Sequence, residues 1–334
     1  MAREAKKIAV IGDGGWGTTL AILLCNKGHD VWLWGAFPEY VESLKKSREN
    51  IKFLPGVSIP AKISITGSIN DALSEAGVVV LAVPSQFTRS VLKKMAASGL
   101  SGSIMVSVTK GIEIDTLKRM SEVVAEEFGE RRFAVLSGPT IAHEVAGCIP
   151  TTAVCASYEQ DDATSVQEIF FTDRFRVYTS TDVTGVELGG SLKNVIAIAA
   201  GISDGLGFGT NAKAALLTRG LTEIIRLGCA AGARRETFFG LSGLGDLATT
   251  CMSRHSRNRW LGEEIGKGKK LGEALQGTEM VVEGISTTRS AYELSKKYSI
   301  EMPITGEIYK ILYKGKDPAK AVNDLMTRAP KREE

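Results

Sequence analysis

The sequence lacks the residue groupings that build metal sites and disulfide frameworks. Its 334 residues include only five cysteines and three histidines. The cysteines are odd in number and contain no CxxC pair, and neither residue type shows the spacing of zinc ligands. The eight positions are Cys25, Cys148, Cys155, Cys229, Cys251, His29, His143 and His255. We therefore expect a cytoplasmic protein without a metal, in which the cysteines are structural thiols.

Long apolar runs and an excess of one charge are missing as well. No uninterrupted apolar run approaches the ~20 residues that span a bilayer. The basic start of the chain is followed by only residues 8–12 before Asp13, which indicates a strand rather than a signal-peptide core. The 41 Lys and Arg residues against 38 Asp and Glu leave a formal charge of +3. A charge this small favours neither nucleic acid nor a membrane surface as a partner, and it suits a phosphorylated substrate.

A glycine-rich turn lies near the start of the chain. A β-like run over residues 7–11 leads into Gly12, Gly14 and Gly17, and an apolar helix and a second β-like run over residues 30–34 follow. Strand, G-x-G-x-x-G, helix and strand in this order form the context of a dinucleotide-binding turn. Its glycines let the backbone approach a pyrophosphate at the helix N-terminus. We expect NAD or NADP to bind here.

The choice between these two coenzymes stays open. An acidic residue at the end of the second strand would hold a ribose 2′-hydroxyl and favour NAD. That strand instead runs into residues 34–37, Trp-Gly-Ala-Phe, and no charged residue follows before Glu39. Three cations follow farther on, at Lys45, Lys46 and Arg48. They either contact a 2′-phosphate of the coenzyme or lie on a solvated helix face.

Further strand-like runs alternate with helical segments through the first half of the chain. The strand-like runs cover residues 78–83, 104–108 and 133–136, and the helical segments cover residues 68–76, 86–97 and 115–128. This alternation predicts a doubly wound parallel sheet of the Rossmann type, with helices on both faces. Ligands of such sheets lie beyond the carboxyl ends of the strands.

Polar segments follow three of these strands at that edge, over residues 83–85, 109–111 and 137–140. Lys110 comes directly after a buried strand, so we expect it to point into the coenzyme crevice. A lysine of a solvated turn is the alternative for this residue.

The second half of the chain has a helical pattern throughout. A last strand-like run covers residues 175–180, and an apolar helix over residues 184–205 follows it, with Lys193 and Asn194 in its middle. Lys193 is either a solvated lysine at a domain boundary or a cation held for chemistry. We expect a Rossmann-type domain over residues 1–183 and an all-α domain over residues 184–334.

Two polar clusters lie within that helical half. Asp246 places a carboxylate in an otherwise uncharged segment over residues 243–247, and Ser256, Arg257 and Asn258 lie together shortly afterwards. A guanidinium contacts phosphate oxygens in a bidentate manner, and serine and asparagine supply neutral donors beside it. The second cluster is therefore a candidate phosphate site.

Several of these segments together resemble one family. The resemblance runs in order from Ile8 to Leu325, and its Lys-Asn helix and Gly-Leu-Gly-Asp motif are more specific than the glycine turn. The segments are GDGGWGT, NIKFLPGV, VTKGIE, LSGPTIAHE, GGSLKNVIAIAAGISDGLGFGTNAKAALLTRG, LSGLGDLATTC, SRNRWLG and VVEG. They are similar to NAD(P)-dependent glycerol-3-phosphate dehydrogenases of the bacterial, cytoplasmic type. In that family Ala36 stands where a polar or basic residue is frequent, so the resemblance leaves the coenzyme open too.

The resemblance implies hydride transfer between NAD(P)H and dihydroxyacetone phosphate, which gives sn-glycerol 3-phosphate for phospholipid synthesis by a homodimer. It makes Lys193 the proton donor or acceptor at the reacting oxygen. The catalytic residues around it would be Lys110, Asn194, Asp246 and Thr250. The substrate would contact Gly138, Thr140, Ser256, Arg257 and Asn258, together with Lys110, Lys193 and Asp246. The coenzyme would contact Gly12, Gly14, Gly15, Trp16, Gly17, Lys110, Ala142, Arg257, Val281 and Glu283.

The protonation state of Lys193 depends on opposing effects. Burial and the charge of Lys110 would lower its pKa, while Asp246 and the substrate phosphate would raise it. The sequence leaves the balance open.

Two other functions are alternatives to this interpretation of the sequence. A β-hydroxyacid or sugar-acid dehydrogenase has the same two-domain layout, although its carboxylate substrates do not call for the Ser-Arg-Asn cluster. A regulatory protein that senses NAD(P) would have no use for Lys110, Lys193 and Asp246 together.

Overall fold

The computed structural model describes residues 5–97, 100, 102–278, 280–330 and 332–333. The first four residues of the basic N-terminal segment therefore lie outside the described residues. Strands are numbered β1–β10 in chain order: Lys7–Ile11, Asp30–Trp34, Glu49–Asn50, Leu54–Ser58, Ser64–Thr66, Val78–Leu81, Ile104–Ser107, Phe133–Ser137, Thr151–Ser157 and Phe175–Ser180.

Helices are numbered α1–α15 in the same way. They are Gly15–Asn26, Pro38–Ser47, Ile69–Leu73, Ser85–Ala96, Met120–Phe128, Ala142–Ala146, Gln160–Phe170, Val183–Gly205, Thr210–Ala230, Asp246–Met252, Arg257–Gly266, Leu271–Leu275, Glu283–Lys297, Pro303–Lys314 and Pro318–Met326. A 3₁₀ turn, Arg235–Phe239, and a π-helical turn, Leu241–Gly245, precede α10.

Eight strands form one twisted sheet in the order β10-β9-β8-β7-β6-β1-β2-β5, and β3 pairs with β4 in a separate ribbon. Six neighbouring strands of this sheet run parallel to one another: β5, β2, β1, β6, β7 and β8. Alternate residues of β1 are buried on opposite faces of the sheet, Ile8 and Val10 against one layer of helices and Ala9 and Ile11 against the other. The predicted doubly wound Rossmann-type sheet is confirmed, because burial on both faces is what makes these strands continuously apolar.

One pair of strands departs from the parallel direction of the predicted sheet. Strand β9 pairs with β8 in the antiparallel direction, and β10 runs parallel to β9. The link between β8 and β9 contains only the five-residue helix α6, and an antiparallel neighbour needs no long crossover. Strand β9 went unpredicted because its sequence, TTAVCAS, has small and hydroxyl residues in place of an apolar run.

One helix starts later than the sequence pattern predicts. Helix α5 begins at Met120, not at residue 115. The residues before it form a tight turn, in which the amide of Leu117 donates to the carbonyl of Glu113 and the amide of Glu113 donates to the carbonyl of Lys118. Leu117 has a φ of 60°, which a helix does not accept.

Helix α8 forms the centre of the helical half. It packs against α9, α10, α11 and α13, and its residues are buried around the whole circumference. Among the described residues it is the one helix long and apolar enough to cross a membrane, and its most apolar window is entirely buried inside the protein. The apolar sequence of α8 is therefore explained by its place in the core.

Candidate active site

Three segments bring charged side chains together between the sheet and the helical half. Lys110 follows β7, Lys193 lies in the middle of α8, and Asp246 begins α10 directly after the π-helical turn. The Nζ atom of Lys110 lies 2.6 Å from Oδ2 of Asp246. The Nζ atom of Lys193 lies 3.0 Å from Oδ1 of the same carboxylate. One carboxylate thus binds two ammonium groups, one on each of its oxygens.

Asp246 is only 2% exposed, yet it is held as an anion. Burial alone would raise the pKa of its carboxyl group. The charges of Lys110 and Lys193 and the hydrogen bonds that both donate outweigh burial, and they hold the pKa of Asp246 below its usual value. The carboxylate therefore fixes the position of both lysines at neutral pH.

Lys193 is a buried cation, and the alternative of a solvated boundary lysine is wrong. The residue is 6% exposed, and its ammonium also donates to Oγ1 of Thr250 at 2.6 Å. Burial lowers the pKa of Lys193 to about 8, with the charge of Lys110 acting in the same direction and Asp246 against it. Burial thus dominates the balance that the sequence left open. A lysine with this pKa can give and take a proton near neutral pH.

Lys110 lies at the carboxyl edge of the sheet, where the pattern predicted it. Its ammonium donates to the carbonyl of Gly138 at 2.9 Å and lies 3.3 Å from Oγ1 of Thr140. Gly138 follows β8 with a φ of 136°, a conformation that favours glycine. The structure therefore brings Gly138 and Thr140 to the cluster of Lys110, Asp246 and Lys193.

Two asparagines join this cluster to the helices behind it. The side-chain amide of Asn194 donates to the carbonyl of Lys110 at 3.2 Å. The amide of Asn258 donates to Oδ1 of Asn194 at 2.8 Å, and its own Oδ1 accepts from the backbone of Gly284 at 2.9 Å. These bonds tie α8, α11 and α13 to the loop after β7. Asn258 is therefore in direct contact with the site.

The other two members of the predicted phosphate cluster lie at the start of α11. Ser256 caps that helix by accepting from the amide of Arg259 at 3.2 Å. Arg257 is exposed, and its guanidinium donates to the carbonyl of Val281 at 2.8 Å. Ser256 is half-buried and Arg257 is exposed, whereas Asn258 is buried.

The glycine turn has the shape of a pyrophosphate cradle. Gly12 has a φ of 122°, and a Cβ on Gly17 would overlap the carbonyl oxygen of Gly12. Helix α1 begins after Gly14, whose backbone is extended and whose position provides no side-chain cap. A Cβ on Gly14 would meet nothing within 4 Å. The N-terminus of α1 thus lacks a side-chain cap, and the residues present fit a dinucleotide.

Residues next to this turn come from α1 and α6. A Cβ on Gly15 would lie 2.5 Å from the carbonyl oxygen of Phe53, so the β3–β4 ribbon covers one side of the turn. Trp16 is partly buried, and its indole N–H has no partner within the protein among the described residues. The carbonyl of Ala142 accepts from the hydroxyl of Thr19 at 3.2 Å, which holds α6 against α1.

Glu283 extends from the helical half to the other side of the crevice. Its Oε1 accepts from the amide of Ser85 at 2.8 Å, at the N-terminus of α4. A Cβ on Gly111 would lie 2.7 Å from Oε2 of Glu283. Burial raises the pKa of Glu283, against the opposing hydrogen bonds from Ser85. Glu283, the first residue of α13, therefore faces the ends of β6 and β7, and Val281 lies two residues before it.

Sequence reasoning missed several polar residues of this region. Ser85 and Ser137 occur in strand-end segments that the sequence singled out, but neither residue was chosen. The buried hydroxyls of Ser137 and Ser242 have no partner within the described residues. Asp13, inside the glycine turn, also has a carboxylate oxygen without one. Ser85 and Ser137 could have been found from their positions at strand ends, and Asp13 from its position in the glycine turn. Nothing in the sequence pattern singles out Ser242.

The charged cluster consists of two lysines and one aspartate. Within the described residues, no three His, Cys, Asp or Glu side chains are grouped so that they could hold a metal ion. The arrangement instead offers a buried ammonium for proton transfer and a glycine turn for a dinucleotide. This combination suits the reduction of a carbonyl group by a nicotinamide coenzyme.

Comparisons with known proteins agree with this chemistry. The family described as NAD-dependent glycerol-3-phosphate dehydrogenase matches in both halves, its N-terminus over residues 7–163 and its C-terminus over residues 182–323. A glycerol-3-phosphate dehydrogenase [NAD(P)+] of Prosthecochloris aestuarii is 51% identical over 329 residues, 98% of this chain and 99% of the relative. One of Geobacillus kaustophilus is 51% identical over 331 residues, 98% of this chain and 96% of the relative.

Solved structures give the same result. The crystal structure of glycerol-3-phosphate dehydrogenase from Coxiella burnetii superposes with a TM-score of 0.94 at 39% identity, over 97% of this chain and 99% of that one. A D-mandelate dehydrogenase has a TM-score of 0.62 at 12% identity, over 94% of this chain and 99% of that one. The similarity to the D-mandelate dehydrogenase indicates a shared fold alone.

Proposed function

This chain belongs to the family of NAD-dependent glycerol-3-phosphate dehydrogenases, and we propose that it reduces dihydroxyacetone phosphate at the cluster of Lys110, Asp246 and Lys193. The activity is that of an oxidoreductase that uses NAD(P) and a phosphorylated substrate. The observation that carries the assignment of the site is the buried ammonium of Lys193 beside the carboxylate of Asp246, with a pKa of about 8.

In this proposal Lys193 is the acid of the reduction and the base of the reverse reaction. The bound coenzyme supplies or accepts the hydride. The ammonium of Lys193 stabilises the negative charge that develops on the carbonyl oxygen and then donates its proton to that oxygen. Thr250 accepts from the same ammonium through a neutral hydroxyl, so it orients Lys193 without adding charge. Asp246 keeps the cation in place and raises its pKa against the effect of burial.

Lys110 has a positioning role beside the substrate in this proposal. Its bonds to Asp246, Gly138 and Thr140 hold one wall of the site rigid. Asn194 contacts the backbone of Lys110, and it thereby sets the distance between α8 and that wall. Preorganised charges of this kind need no rearrangement during the reaction.

The phosphate end of the substrate is assigned to Ser256, Arg257 and Asn258. The side chain of Asn258 donates to Asn194, which directly follows Lys193 in α8. The start of α11 therefore lies close to the reacting group. The exposed guanidinium of Arg257 has free donors besides the one that it gives to Val281, because an arginine carries five N–H groups. A bidentate contact with phosphate is thereby open to it.

The coenzyme is assigned to the crevice between the glycine turn and the loop of Val281 and Glu283. The pyrophosphate would lie against the turn, and Trp16 and Ala142 would flank it. On the far side, Lys110, Arg257, Val281 and Glu283 would face the nicotinamide end. The uncapped first turn of α1 and the close contacts of its glycines support this placement. The glycines of the turn that would contact the coenzyme are Gly12, Gly14, Gly15 and Gly17.

The domain boundary, the location, the oligomeric state and the metabolic role also belong to the proposal. The domains divide between residues 183 and 184, where α8 begins. The protein acts in the cytoplasm as a homodimer, without membrane insertion, and supplies glycerol 3-phosphate for phospholipid synthesis. The burial of α8 inside the protein supports the lack of membrane insertion, and the family's separate N-terminal and C-terminal matches support the domain boundary.

The deciding experiment is oxidation of NADH and NADPH, in separate assays, with dihydroxyacetone phosphate as substrate. We expect turnover with the phosphorylated ketone, and little with a short 2-oxoacid that carries a carboxylate instead of a phosphate. Turnover of the oxoacid alone would favour the β-hydroxyacid dehydrogenase alternative. Coenzyme binding without turnover of either ketone would favour a sensor.

A further inference from the structure

The carboxylate of Asp13 has one oxygen, Oδ2, for which the described residues supply no hydrogen bond. Asp13 occupies the second position of the glycine turn, between Gly12 and Gly14. Among the described residues its Oδ2 atom is enclosed and has no hydrogen-bond partner. A buried oxygen without a partner is costly unless a ligand supplies the missing donor. We propose that Asp13 binds the adenosine ribose 2′-hydroxyl of the coenzyme and makes the enzyme select NAD over NADP. This inference rests on the proposed function, since it concerns the same coenzyme site.

The position of the carboxylate supports this role. A Cβ on Gly35 would overlap Oδ2 of Asp13 and would lie 2.7 Å from Cγ2 of Val41. The side chain of Asp13 therefore lies against the backbone at the end of β2. Dinucleotide-binding sheets place an acidic residue for the ribose at this strand end. Here the strand end has no acid of its own, and Asp13 delivers a carboxylate to the same place from the neighbouring turn.

The pairing of these two positions is sterically specific. Any side chain at residue 35 would displace the carboxylate of Asp13, so Gly35 is what makes room for it. The backbone of Asp13 is fixed as well, because its carbonyl accepts from the side-chain amide of Asn50 at 2.8 Å. Asn50 in turn accepts from the hydroxyl of Tyr40 at 2.5 Å. Asp13 is therefore held in a defined position without any direct bond to its Oδ2.

Two of the three cations that follow β2 are engaged elsewhere. Arg48 donates to the carbonyl of Ile63 at 2.8 Å and has a left-handed φ of 50°. Lys45 forms an ion pair with Glu42 at 2.7 Å. A 2′-phosphate beside Asp13 would thus meet a carboxylate and two cations that already have partners. Charge repulsion excludes NADP, whereas the 2′-hydroxyl of NAD can donate to the carboxylate.

Calorimetric titration with ADP-ribose and 2′-phospho-ADP-ribose tests the inference on the adenosine half alone, without turnover. The unmodified enzyme should bind ADP-ribose about 10-fold to 100-fold more tightly, the range expected for one hydrogen bond to a charged group. NADH and NADPH should show the same preference. Equal affinity, or tighter binding of the 2′-phosphorylated ligands, would overturn the inference before any variant is made.

Asp13→Asn then isolates the charge at constant shape, and Asp13→Ala removes the side chain. Both should lower the preference for ADP-ribose by about 10-fold or more, with a gain for the 2′-phosphorylated ligand in the asparagine variant. Asp30→Asn is the matched control, because Asp30 is exposed at the opposite end of β2. An unchanged preference in the folded Asp13 variants would remove Asp13 from the role. Absence of binding by the unmodified enzyme, or normal binding without ketone reduction, would instead contradict the proposed function.

Discussion

The ammonium of Lys193 lies 3.0 Å from Oδ1 of Asp246, with both residues buried where α8 meets α10. Burial of an ion pair costs more than it returns unless hydrogen bonds complete it. Here Thr250 bonds to both members, as it accepts from Lys193 and lies 3.1 Å from Oδ1 of Asp246. The pair places a proton donor inside the protein at a fixed point, and its chemistry leads to the first two predictions.

Lys193→Ala is expected to lower kcat by about 10²-fold to 10⁴-fold, the usual contribution of a positioned acid or base. Binding of NADH should change little, because the ammonium acts on the substrate oxygen. Steady-state kinetics with dihydroxyacetone phosphate and a coenzyme titration provide the two measurements. Lys94→Ala, at an exposed position of α4, is the control. Near-normal kcat in the Lys193 variant would rule out its role as the acid.

The rate of ketone reduction is expected to depend on pH through Lys193. The protonated form is the active acid, so kcat/KM for dihydroxyacetone phosphate should fall as pH rises through about 8. The oxidation of glycerol 3-phosphate needs the neutral amine and should rise over the same range. Asp246→Asn removes an interaction that raises the pKa, and it should move the step to lower pH. An identical step in both enzymes would assign it to another group.

Arg257→Ala is expected to raise KM for dihydroxyacetone phosphate far more than it changes kcat. The contact with phosphate is the same in the ground state and the transition state, so its loss weakens binding of both. Arg176→Ala serves as the control, because Arg176 is exposed on the edge strand β10, over the ring of Tyr178. Unchanged KM would place the phosphate elsewhere.

Gly201→Ala is expected to destabilise the protein by about 1–3 kcal/mol through overpacking. Its Cβ would overlap the carbonyl oxygen of Arg259 and lie 2.7 Å from the backbone nitrogen of Glu263, where α8 crosses α11. Gly306→Ala is the matched comparison, because a Cβ there meets nothing within 4 Å. This second variant should stabilise α14 by about 0.5–1 kcal/mol. Thermal unfolding midpoints should therefore shift in opposite directions, and a shared direction would contradict the packing argument.

The local pattern of the sequence was sufficient for much of the fold. The glycine turn between two β-like runs predicted the dinucleotide cradle, since turn geometry depends on residues that are adjacent in the chain. The apolar periodicity predicted the doubly wound sheet and the helical half. The direction of β9 escaped prediction because it depends on the link after β8 and on pairing, and its own sequence is weakly apolar.

The sequence by itself determined which residue types the site contains, and Lys110, Lys193 and Asp246 could all be named from it. Only the tertiary structure decided that one carboxylate binds both lysines, because Asp246 lies 136 positions from Lys110 along the chain. It also decided that burial dominates the pKa of Lys193, and that Asp13 rather than a β2 residue fills the space beside Gly35. Local patterns encode turns, helices and strands, whereas solvation and contacts between distant residues arise only when the chain is packed.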